Sequence, residues 1–191
     1  MDGVQQLDVI IPLLESLVDE ISVGQLEQPT PCAKLTVSGV LEHMIGGATA
    51  FAPAFRGESP SAASTPPPEG SVTARWRAAL ADLLDAVHSP GAQDRTIASP
   101  FGEVPGSVFA RYVAFDGLVH GWDLASATGG SYGPPAGVVA EVDAFARDLL
   151  KPEMRDGDTF DQESVPPAGA TALERLVAFS GRAVPFVAGA A

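Results

Sequence analysis

The stretch Tyr112–Ala125, YVAFDGLVHGWDLA, sets three chemically capable side chains into an otherwise apolar run. Asp116 and His120 are four residues apart. On a helix they stand one above the other on a single face, with Asp123 near its lower end. A helix that is apolar on nearly every side is a buried one. A carboxylate and an imidazole in such a place need a partner, because an unpaired buried charge is costly. A divalent metal would satisfy both groups, and i, i+4 is a spacing that metal-binding helices use. A carboxylate–histidine hydrogen bond inside a core is the alternative, and this stretch alone leaves the two open.

A third metal ligand has to come from another segment. The chain contains three histidines, His43, His88 and His120. His88 falls in the last turn of an expected helix, where an imidazole interacts favourably with the dipole, and it is read as structural. His43 lies among Val40, Leu41, Met44 and Ile45. Taken alone it reads as a hydrogen-bonded core histidine; with Asp116 and His120 it makes a metal site the better explanation. Gly46-Gly47, just after it, read as a place where another helix approaches closely. Asp123 is read either as an acceptor that orients His120 or as a partner for an arginine near the bundle end. Trp122 reads as core, and Cys32 as a small buried hydrophobe whose mixed disulfide with a low-molecular-weight thiol is disfavoured.

The elements that must position these residues are helical. Apolar residues recur at helical spacing over Val4–Val23, where Pro12 marks a first turn or a kink. Thr36 is an N-cap for a second helix over about Val37–Phe55, and Ser71 for a third reaching about His88. The organising helix is expected over about Ser107–Thr128, stopped by Gly129-Gly130, and a fifth over about Pro135–Leu150. Thr171 and Glu174 form a capping box for a short last helix that Gly181 ends. Glu58–Gly70 and Lys151–Gly169 read as loops, and Ser89–Pro105 shows no usable period. The expected fold is all-α, a helical bundle with long inter-helix loops in one domain spanning residues 1–191, without strands or repeats.

Composition narrows the function classes. Eleven basic against 24 acidic residues give a net charge of −13, which offers no electrostatic footprint for nucleic acid or for an anionic membrane. The single cysteine can close no internal disulfide, the first residues lack the basic start of a signal peptide, and no apolar run reaches membrane-spanning length. A cytoplasmic protein is expected.

Three stretches carry a resemblance: Pro29–Gly47 (PTPCAKLTVSGVLEHMIGG), Asp116–Gly129 (DGLVHGWDLASATG) and Leu173–Arg182 (LERLVAFSGR). Together they resemble the DinB-like metal-binding four-helix bundles, in the actinobacterial branch similar to the N-terminal domain of mycothiol-dependent maleylpyruvate isomerase. By position, the family's first histidine falls on His43, and the isomerase's glutamate and last histidine fall on Asp116 and His120. Many other members carry histidine where Asp116 stands, and aspartate is one methylene shorter than glutamate. The branch often has tryptophan where Leu35 precedes Thr36, and the isomerase has an additional C-terminal domain for which this chain is too short.

The ligand set carried over in this way is His43, Asp116 and His120. Three protein ligands leave open positions on a metal, the arrangement of a catalytic site. Histidine plus carboxylate suits zinc, with nickel, iron or manganese admissible. The resemblance implies a metal- and mycothiol-dependent transferase or isomerase acting on a small electrophilic molecule. A hydrolase using bound water and a non-enzymatic metal- or ligand-binding bundle are the rival readings. The expected partners are a small-molecule substrate and a low-molecular-weight thiol, with a homodimer left open.

Overall fold

The computed structural model describes residues 1–58, 70–99, 102–155, 157 and 160–187. It is all-α apart from one small hairpin. Six helices follow in chain order: α1 (Gly3–Asp19), α2 (Val37–Arg56), α3 (Val72–Val87), α4 (Gly106–Thr128), α5 (Ala136–Leu149) and α6 (Ala172–Phe179). The first four pack as the central bundle, in which α1 lies along α4 and α2 along α3. Helices α5 and α6 flank α4, and α6 packs on α5. Among the described residues, no helix is long and apolar enough to cross a membrane.

The helix starts follow from capping chemistry. The hydroxyls of Thr36, Ser71 and Thr171 accept from the backbone N–H three residues on, as their sequence positions predict. The Glu174 carboxylate in turn accepts from the Thr171 N–H, completing the capping box. Asp2 and Gln5 make a second such box at the start of α1, a residue earlier than periodicity suggests. Pro12 lies in the interior of α1, well past its first turn. Gly129 ends α4 at φ +74° and Gly181 follows α6 at φ +101°, left-handed conformations that glycine adopts without strain.

Apolar faces meet in one contiguous core running from Val4 of α1 to Phe179 of α6. Helix α4 is buried on nearly every side because α1, α2, α5, α6 and the hairpin all touch it. That explains its unpatterned apolar sequence: a helix without a wet face has no amphipathic stripe.

The expectation of no strands is corrected. Thr96–Ser99 (β1) and Gly102–Pro105 (β2) pair antiparallel, with Thr96 opposite Pro105 and Ser99 opposite Gly102. Each strand is four residues long and Ile97 is their only fully buried side chain, so there is too little alternation to detect. The Glu58–Gly70 loop lies, except for its ends, outside the described residues.

The start of α4 is tightly constrained. A Cβ on Gly106 would lie 2.0 Å from the backbone oxygen of Ala92, whereas one on Gly137 in α5 would meet nothing within 4 Å. Gly106→Ala should therefore destabilise by about 1–3 kcal/mol or more, the cost of forcing atoms into a packed site. Gly137→Ala should stabilise by up to about 1 kcal/mol through helix propensity and a less free unfolded chain. Thermal melts of the pair check this; equal shifts would contradict the packing at Gly106.

Candidate metal centre

Helix α2 brings His43 and helix α4 brings Asp116 and His120 to the same point. Asp116 Oδ1 lies 3.2 Å from His43 Nε2 and 3.4 Å from His120 Nε2. The two imidazole rings are 4.8 Å apart between centroids. One ligand atom from each residue lies within 4.8 Å of the others. Three donors converging in this way, with nitrogen and oxygen but no sulfur, are a set that a divalent ion such as zinc accepts. The site is graded in exposure: His43 is about half exposed, the Asp116 side chain is 43% exposed, and that of His120 is 7% exposed.

Asp123 lies one turn further along α4 and is fully buried. Its Oδ2 is 3.0 Å from His120 Nδ1, leaving Nε2 aimed at Asp116 and the mouth. A carboxylate behind the second ring nitrogen fixes both the tautomer and the plane of a ligating imidazole. The Arg182 guanidinium completes the chain, with Nη2 3.1 Å from Asp123 Oδ2 and Nε 3.4 Å from Oδ1. Asp123 thus contacts both of the partners that its sequence position leaves open, His120 and an arginine.

The electrostatics follow from crowding. Burial opposes the charged form of His120, yet the Asp116 and Asp123 carboxylates outweigh it and push the imidazole up to about 9. Burial likewise opposes the charged form of Asp116, but His120 first and then His43 hold its carboxyl well below the usual carboxylate range. Water entering from the mouth reaches Asp116 and screens part of this attraction.

The triad opens on a cavity of about 770 Å³ between α1, α2, α4 and the segments before α2 and after α6. Leu35, Phe51, Phe109, Phe115 and Phe160 form much of its apolar wall, and Phe115 stacks on Phe160. Two sequence expectations are corrected here. Cys32 is only partly buried and lines this cavity, and burial pushes its thiol up, so it is a weak nucleophile at neutral pH. Gly46 and Gly47 admit no neighbouring helix: a Cβ on either would meet nothing within 4 Å, and Gly47 lines the open space. His88 stands apart from the site, paired on the surface with Asp8 at 2.7 Å.

These charges give the metal-free protein a definite pH dependence. His120 is raised from 6.5 to about 9, so its ion pairs add stability that is complete below about pH 6.5 and disappears as pH climbs through 9. Asp116 is lowered, so its contribution is present above about pH 4 and is lost on acidification. A metal ligand must be a neutral imidazole, so protons compete with metal and metal affinity rises over that same alkaline range. The gain in melting temperature on adding zinc to chelated protein should accordingly grow between pH 6.5 and 9. Helical circular dichroism should survive chelation, because the helices bury their own apolar faces. A gain that is flat with pH would mean that His120 exchanges no proton for metal.

Two comparisons bear on this geometry. The family model for the mycothiol maleylpyruvate isomerase N-terminal domain matches residues 10–125, a span that contains His43, Asp116, His120 and Asp123. Uncharacterised proteins from two strains of Mycobacterium tuberculosis, CDC 1551 / Oshkosh and H37Rv, are each 36% identical over 172 residues, covering 88% of this chain and 91% of the relative. No solved structure matches the chain. The all-α bundle, the extent of the match and the residues within it lead to one assignment: the chain belongs to the mycothiol maleylpyruvate isomerase N-terminal domain family, with a DinB-like helical fold.

Proposed function

We propose that this protein is a metal- and thiol-dependent transferase or isomerase that acts on a small electrophilic molecule. The observation that carries the reading is the convergence of His43, Asp116 and His120 within 4.8 Å at the mouth of a large apolar-walled cavity. A divalent cation held there, zinc being the best fit to the donors, supplies a nucleophile at neutral pH by lowering the pKa of a bound thiol or water. The family name points to mycothiol as that thiol.

The chain's own residues set the conditions. Two neutral imidazoles and one carboxylate leave a formal charge of about +1 on a divalent ion, counted in their metal-binding states. One thiolate would neutralise the site, which favours its entry into an apolar cavity. Asp123 holds His120 in place from behind, so little rearrangement is needed when the site fills. Phe51, Phe109, Phe115 and Phe160 give the electrophile an apolar seat beside the triad. Cys32, with its thiol pushed up, does not compete as a nucleophile.

The test is turnover of a panel of electrophiles by zinc-loaded protein with and without added mycothiol, alongside elemental analysis of the purified chain. About one divalent ion per chain and turnover that requires thiol are expected. Ester hydrolysis independent of thiol would replace this reading by the bound-water hydrolase. Metal binding without turnover on any panel would leave a binding bundle.

A further inference from the structure

Each of the two α4 ligands is followed by a glycine, as Asp116-Gly117 and His120-Gly121. A glycine inside a helix weakens it relative to alanine, so a pair four apart in a buried helix calls for a reason in the packing. At Gly117 the reason is α1: a Cβ there would lie 3.1 Å from Ile10 Cγ2. At Gly121 it is Tyr132: a Cβ would lie 2.4 Å from its Cζ, 2.5 Å from Cε1 and 2.8 Å from the hydroxyl oxygen. The phenol therefore fills the space that any other side chain at position 121 would need. Its hydroxyl donates to the Gly117 carbonyl at 3.4 Å, a long bond, so the seating of the ring on the backbone is the stronger constraint.

The loop that delivers Tyr132 is itself held. Gly129 turns the chain out of α4 at φ +74°, and Gln25 Nε2 donates to the Thr128 carbonyl at 2.9 Å. Leu17 packs on Gly130 so closely that a Cβ there would lie 2.5 Å from Leu17 Cδ1. Burial pushes the Tyr132 phenol up, so the hydroxyl stays protonated and remains a donor at neutral pH. Neighbouring helix positions point about 100° apart, so the ring stands on the face beside the ligands and not among them. Tyr132 lies outside the lining of the triad's cavity and borders a separate hollow of about 220 Å³ with Val139 of α5 and Leu173 of α6. It is placed to act on the ligands through the backbone that carries them.

We infer that Tyr132 is a positioning residue of the metal centre, its ring seated on Gly121 and tied to Gly117 so that the turn between Asp116 and His120 keeps one shape. That turn has a glycine directly after each ligand, which makes it the most easily deformed part of α4. A metal site needs its ligand atoms placed to a few tenths of an ångström, about 0.2 Å in bond length, so a small bend there matters. Asp123 fixes the plane of the His120 ring from behind, and Tyr132 fixes the backbone from which that ring and the Asp116 carboxylate project. The inference rests on the ligand set His43, Asp116 and His120 and not on which reaction the site performs.

The experiment measures zinc affinity by calorimetry and the visible absorption of the cobalt-substituted full chain, with melts of chelated protein to confirm folding. Tyr132→Leu keeps apolar volume without the flat ring. It should lose about tenfold or more in zinc affinity, the scale of removing a group that orients a ligand. Its cobalt bands should shift, because they report ligand geometry. Tyr132→Phe keeps the ring and should restore both affinity and spectrum. Gly121→Ala sets a methyl where the ring stands, and the neighbouring hollow gives the ring room to yield, so this variant should reproduce both changes with Tyr132 intact. Phe55→Leu is the control, a fully buried aromatic on α2 outside the cavity lining. It should lower the melting temperature and leave zinc affinity and cobalt spectrum as they were. Wild-type affinity and spectrum in Tyr132→Leu, no recovery in Tyr132→Phe, or an equal zinc loss in Phe55→Leu would each overturn the positioning role. Every readout is metal binding, so absence of thiol-dependent turnover would sink the proposed reaction and leave this inference standing, and a failure here would leave that reaction standing. A wild-type chain that binds no zinc would remove the ligand set and both conclusions with it.

Discussion

His120→Ala is expected to empty the metal centre while leaving the bundle folded. His120 contributes one of the three donors that converge among the described residues, and it is the most buried of them. Losing an orienting group behind a ligand already costs about 10–100-fold in metal affinity, so losing the ligand itself should exceed about 100-fold. Metal content should fall from about one ion per chain to a small fraction after dialysis. Stability of the metal-free variant should drop by about 1–3 kcal/mol, because Asp116 loses a partner and a small void opens beside the cavity. Asp123 keeps Arg182, so no buried carboxylate is left alone. The comparison is His88→Ala, whose imidazole pairs with the surface carboxylate of Asp8 and whose removal should change metal content not at all and stability by less than about 1 kcal/mol. Elemental analysis and zinc calorimetry on both variants decide the matter. Full metal content in His120→Ala would disprove the ligand set.

The helices were legible because their signals are local. Thr36, Ser71 and the Thr171–Glu174 pair act on N–H groups three residues away, so the cap and its effect lie within one short window. The hairpin at Thr96–Pro105 was not legible, since its strands bury a single residue and owe their pairing to lodging against α4. The lesson of Gly46-Gly47 is different: a sequence shows that a side chain is missing, and only the fold shows whether a helix or open space takes its place.

The triad was readable for the same local reason in part. Asp116 and His120 are tied by helical spacing, whereas His43 joined them because few histidines compete for the role. The cavity was hidden, because Leu35, Phe51, Phe109 and Phe115 look the same in sequence whether they fill a core or line a space. Arg182 was hidden more deeply. It stands 59 residues from Asp123, and no periodicity connects α4 to the turn after α6. The available signal was that the last stretch resembling the family ends on this arginine.

Asp123→Ala should have the largest effect on stability of any single change near the site. It strips the partner from Arg182, a cation that is 11% exposed, and the acceptor from His120 Nδ1. Breaking a buried ion pair from one side leaves an uncompensated charge and costs about 3–5 kcal/mol. The His120 ring also loses its orienting contact, so zinc affinity should fall about 10–100-fold. These two losses have different causes, and a double variant separates them. Asp123→Ala combined with Arg182→Leu removes the stranded cation, and replacing a buried pair by apolar groups is often neutral or favourable. Most of the lost stability should therefore return. Zinc affinity should not, because His120 still lacks its acceptor. Denaturant melts of chelated protein and zinc calorimetry on the single and double variants provide the two readouts. Recovery of both together would show that Asp123 supports the metal centre only by holding the fold, and that the His120 contact orients nothing.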